Sequence, residues 1–188
     1  MRPDGTHERL VSDDERVGSD PVWAPDGTAL AFTGITREDG EVNQDIYVLE
    51  LQSGDLTRLT TSPGDDWQPR WSPGSEHIAF ISARHDPYDS EYGPYQSSLY
   101  VIDADGSNER RLTFDDRTTD RGHAWSPDGR RLVYLQSYDD DIAPHGATPS
   151  LWIVPLDGRR DLLTKGRVSE PDWSPTGAWI VYGKNLDG

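Results

Sequence analysis

"WSPDGRRLVYLQ", residues Trp125 to Gln136, decides the fold. Pro127 presets φ, the Asp128 side chain bonds its own backbone, and Gly129 tolerates positive φ, so the stretch opens on a tight turn. Leu132, Val133, Tyr134 and Leu135 then form a run of strand-favouring types. Three variants occur elsewhere: "WAPDGTALAFTG" from Trp23, "WSPGSEHIAFIS" from Trp71 and "WSPTGAWIVYGK" from Trp173. The four tryptophans stand 48, 54 and 48 residues apart, a period that marks a repeat array.

A second element recurs between them: "DIYVLELQSGDLTRLT" from Asp45, "SLYVIDADGSNERRLT" from Ser98 and "SLWIVPLDGRRDLLT" from Ser150. Each unit therefore carries four short apolar runs separated by turn residues, too short for helices and right for an antiparallel meander. A lone meander has two apolar faces and buries neither, whereas copies stacked face to face around an axis bury both. The predicted fold is all-β, a β-propeller of four-stranded antiparallel blades. About four blades fall on this chain, three complete and one split between the termini. Residues 1–18 supply an outer strand of the split blade, 19–60, 61–113 and 114–164 the complete blades, and 165–188 the inner strands of the split one. Trp23, Trp71, Trp125 and Trp173 are expected to end the innermost strands and pack between neighbouring blades.

The run "WSPDGRRLVYL" followed by "LWIV", "DG" and "LLT" resembles the propeller repeat of the TolB family, and also the propellers of tricorn-type and prolyl-oligopeptidase-type peptidases. The resemblance covers practically the whole chain and implies the same blade. It implies little about activity, because that blade serves scaffolds, substrate gates and enzymes. Similar propellers usually carry six or more blades, and those of the peptidases leave the catalytic triad to a separate domain. Three closures follow: one ring within the chain, two chains sharing a larger ring, or a piece of a longer propeller. The shared ring, a homodimer, is the one favoured here.

Lys plus Arg total 18 against 34 Asp plus Glu, a net charge of −16, so phosphate backbones and anionic lipid heads are repelled. The expected partner is a protein or peptide, preferably basic; nucleic acid and membrane insertion are not expected. No cysteine is present, which removes disulfides and thiolate metal sites and leaves the compartment open. The polar opening "MRPDGTHERLVSDD" lacks a signal-peptide core, so the protein is cytoplasmic or trimmed of an export signal.

Loops of a meander alternate between two ends. The tight hairpins share one end, and the longer segments 34–44, 83–97 and 137–149 share the other, with the connections 12–20, 61–68, 114–123 and 164–170. Long loops on a rigid scaffold are where binding concentrates. Trp67, Tyr88, Tyr92, Tyr95, His123 and Tyr138 are the candidate binding residues, since aromatic groups beside charges suit protein interfaces. Asp139, Asp140 and Asp141 would steer a basic partner or offer oxygens to Ca²⁺, although no D-x-D-x-D-G loop is present. No cofactor is otherwise expected. No G-x-S-x-G elbow occurs. His123 with Arg121 could act as base and charge stabiliser, as in lyases built on related propellers, but the acidic rim repels an acidic polysaccharide. The function expected is non-catalytic binding, with a calcium-binding propeller or the accessory propeller of a hydrolase or lyase as the alternative.

Overall fold

A computed structural model describes Asp4, Thr6, Glu8 and residues 17–38, 40–85, 96–115, 118–138 and 148–185. Among these residues all regular structure is β. The first sheet is β1 (Val17–Trp23), β2 (Ala29–Glu38), β3 (Glu41–Glu50) and β4 (Leu56–Arg58). The second is β5 (Asp66–Trp71), β6 (His77–Ser82), β7 (Ser98–Asp103) and β8 (Arg110–Arg111). The third is β9 (Thr119–Trp125), β10 (Arg131–Ser137), β11 (Ser150–Pro155) and β12 (Asp161–Lys165), and a fourth holds β13 (Val168–Trp173) and β14 (Ile180–Lys184). Every strand pairs antiparallel with its neighbours in chain order, as the meander requires.

The tight turns work as their residues dictate. Asp128 Oδ1 accepts from the Arg130 amide at 3.1 Å and the Ser126 hydroxyl at 2.5 Å, and Gly129 donates to the Ser126 carbonyl with φ at 67°. After Trp71 the glycine's place is taken by Ser75, held at φ 59° by the same bond to the Ser72 carbonyl.

Sheets stack face on face. Ala29, Ala31, Ile46 and Val48 of the first sheet enclose Trp71, Ile78, Phe80, Tyr100 and Ile102 of the second. Ala79, Ile81, Leu99 and Val101 then enclose Trp125, Leu132, Tyr134 and Val154 of the third. Trp71 and Trp125 thus plug into the sheet before their own. Trp71, Trp125 and Trp173 are 8%, 8% and 9% exposed, as expected. Trp23 is not: it is 61% exposed, because no described sheet precedes its own. At the other end Trp179 and Val181 are open for the matching reason, at 77% and 67%.

Two expectations about loops are corrected. The segment 34–44 is not a loop but the continuation of β2 and β3, which stay paired to Glu38 and Glu41. The Thr36 hydroxyl bonds both Asp45 and Tyr47, and Asp65 Oδ1 accepts the Gln44 amide at 2.8 Å, so polar pairs tie the long hairpin to its sheet and to the strand beyond. The innermost strands also begin earlier than the turn signals suggested. Asp66 and Trp67 lie in β5, and residues 119–123 lie in β9.

Candidate functional site

The innermost strands β1, β5, β9 and β13 lie against one another in sequence, which brings their final residues to one axis. Aligned on tryptophan they read "SDPVW" (19–23), "WQPRW" (67–71), "RGHAW" (121–125) and "SEPDW" (169–173). Three residues before each tryptophan stands a left-handed residue: Asp20, Gln68, Gly122 and Glu170 have φ of 56°, 55°, 55° and 48°. The pairing register breaks at the same place in all four strands, so each carries a β-bulge. Proline follows the left-handed residue in three strands and is tolerated there because a bulge on an open edge needs no ladder N–H. In β9 the residue is His123.

That alignment corrects the placing of His123 on the binding face. Pro69 and Pro171 are buried in their sheet junctions, and His123 takes the equivalent seat, only 5% exposed. Its Nε2 lies 3.3 Å from the Ala79 carbonyl and its buried Nδ1 has no partner among the described residues. Burial, then the Arg70 charge, pushes its pKa down to about 3, so the ring is neutral. Trp67 is corrected likewise: it is half-buried against the core between the second and third sheets. Tyr138 is half-buried. Tyr88, Tyr92, Tyr95, Asp139, Asp140 and Asp141 lie outside the described residues.

Strands β5, β9 and β13, with the turn prolines Pro25 and Pro73, border an open cleft of about 620 Å³ at the tight-turn end of the axis. Its polar side chains are Arg70, His123, Glu170 and Asp172. Arg70 is exposed and its guanidinium donates to the Pro69 carbonyl at 3.0 Å. Asp172 accepts the Trp173 amide at 2.8 Å, and the Trp125 indole donates to the Arg70 carbonyl at 2.9 Å, fixing β5 against β9. Sequence reading passed over Arg70, Glu170 and Asp172. The signal was the five residues before each tryptophan, visible once all four are aligned on the bulge rather than the turn.

At the opposite end of the inner strands sit two equivalent buried carboxylates, Asp66 and Asp120. Burial pushes Asp66 up to about 6 against the pull of Arg84, whose guanidinium lies 3.0 Å away. Burial pushes Asp120 up to about 7, with Thr113 and Gln136 as its hydrogen-bond partners. Thr60 and Thr113 serve both sides of these junctions, since their hydroxyls also accept the Ile46 and Leu99 amides at 2.9 Å. These acids are parts of the repeat. Among the described residues no group of three or more His, Asp or Glu is placed to hold a metal ion. No described helix is long and apolar enough to cross a membrane.

Radially stacked four-stranded meanders with converging inner strands define a β-propeller. The chain belongs to the TolB beta propeller domain family, whose model matches residues 4–188. It is similar to "Uncharacterized protein Atu1656" of Agrobacterium fabrum, 30% identical over 168 residues that cover 85% of this chain and 52% of that protein. It also matches "Uncharacterized peptidase YuxL" of Bacillus subtilis, at 26% identity over 89% of this chain and 29% of that protein. Among solved structures, TolB from Acinetobacter baumannii superposes with a TM-score of 0.69 at 23% identity, over 98% of this chain and 42% of that one. The chain spans about half the length or less of the proteins it matches.

Proposed function

We propose that this chain is a non-catalytic binding propeller that holds a protein or peptide on its long-loop end, with two copies sharing one ring. One observation carries the binding reading. The tight turns closing on Gly27, Gly54, Ser75, Gly106, Gly129, Gly158 and Gly177 all fall at one end of the sheets. Strands β6 and β10 therefore run toward the other end, and long connections that leave a rigid scaffold are suited to binding. The propeller family model that matches residues 4–188 favours a module other than the one performing hydrolysis in the peptidase-named relative. The acidic surface favours a basic partner. For assembly, the support is the pair of open apolar faces at Trp23 and at Trp179 with Val181.

The binding reading is tested with immobilised peptides of basic, neutral and acidic net charge, probed with the whole chain. Basic peptides are retained, and the double variant Tyr92→Ala, Tyr95→Ala loses about tenfold in affinity with an unchanged melting temperature. Retention that ignores peptide charge, or a double variant that melts early and binds as before, overturns it.

A further inference from the structure

The axial cleft joins two opposite charges that do not meet. Arg70 on β5 and Glu170 on β13 both border it, yet no ion pair joins them, and neither has another charged partner among the described residues. What holds them apart is β9, which runs between their strands. At the bulge β9 carries Gly122 where the other three strands carry Asp20, Gln68 and Glu170, and two residues on it carries Ala124 where they carry Val22, Arg70 and Asp172. A side chain at Gly122 would meet only Pro171, at 3.7 Å, so its absence opens space. The smallest residues of the repeat thus lie between its unpaired basic and acidic ones.

Glu170 adds a second observation. Its carboxylate borders the cleft beside that of Asp172, so β13 brings two acids to the cleft where β5 brings one base. Arg70, with a planar fork of donors, is suited to a carboxylate. A cleft of about 620 Å³ has the size of a small-ligand site.

We infer that the axial cleft binds a zwitterion of amino-acid to short-peptide size, its carboxylate on Arg70 and its ammonium on Glu170 and Asp172. Charges already held apart in a partly enclosed cleft interact more strongly with a matching ligand than the same charges in water. The site is at the tight-turn end and does not depend on the long-loop reading.

The test is calorimetric titration of the whole chain with trialanine, N-acetyl-trialanine and trialanine amide. Free trialanine binds, and blocking either end weakens binding about tenfold, the scale of one charge-assisted contact. Arg70→Gln makes the acid and the amide bind alike, and the double variant Glu170→Gln, Asp172→Asn makes the free and acetylated peptides bind alike. All three side chains are exposed, so the variants melt with the parent. No binding of trialanine at millimolar concentration, equal binding of blocked and free peptides, or variants that keep the discrimination each overturn the inference.

Discussion

Asp120 and His123 stand three residues apart in β9, both buried, and their titrations oppose each other. Asp120 has its pKa raised from 3.8 to about 7, so between those values the folded chain holds a proton that the unfolded chain has lost. Stability from this group therefore falls as pH rises from about 4 to about 7. His123 has its pKa lowered from 6.5 to about 3, so between those values the unfolded chain holds the extra proton, and stability rises with pH. The parent's own curve mixes the two slopes with those of its other carboxylates. The variant Asp120→Asn separates them, because the difference between variant and parent contains the Asp120 titration alone. That difference is small at pH 4 and grows in the variant's favour toward pH 7, by up to about 1.4 kcal/mol per pH unit, and levels off above. Urea midpoints measured across this range check it. A difference independent of pH would show the Asp120 carboxylate to be ionised throughout.

The sheet junction is the element that repeats, and the tryptophans reveal how it depends on a neighbour. Trp125 sits on Ala79, Ile81, Leu99 and Val101 of the sheet before it, whereas Trp23 meets no preceding described sheet. Trp125→Ala should cost about 3–5 kcal/mol, the loss of a buried indole plus its cavity. Trp23→Ala should cost under about 1 kcal/mol in the single chain, since most of its surface is already wet. Equal losses in a thermal melt would refute a role set by the neighbouring sheet. This contrast also marks what the sequence could teach. The spacing of Trp23, Trp71, Trp125 and Trp173 and the Pro-Asp-Gly turns disclosed the meanders, because turn chemistry and strand patterning are local. The burial of His123 was hidden, because its seat is defined by a bulge three residues before Trp125 and by Ala79 on another sheet. The 34–44 hairpin was hidden too, since Glu38 and Glu41 look like loop residues and their pairing rests on Asp45 and Asp65. Arg70 and Glu170 were overlooked for a different reason: a repeat is recognised by what stays the same, and the cleft is built from what differs.

Taken whole, the described chain is an arc with one apolar face open at each end. Trp23 offers the knob that Trp71, Trp125 and Trp173 insert at the inner junctions, while Trp179 and Val181 occupy the face that should receive one. In the shared ring proposed above, a head-to-tail contact between copies would use both faces, and two such contacts related by a twofold would close the ring, leaving no face to propagate a fibre. Sedimentation of the whole chain should then give a mass near twice 21.1 kDa. Val181→Asp places a charge in that contact and should return the mass to that of one chain, while the inner junctions, which Val181 does not line, keep its melting transition cooperative. Trp23 fluorescence gives an independent reading, since burial of an indole shifts its emission to the blue as concentration rises. A mass of one chain at every concentration, with Trp23 emission unmoved, would show that copies do not complete each other. The open faces would then be surfaces for some other set of blades.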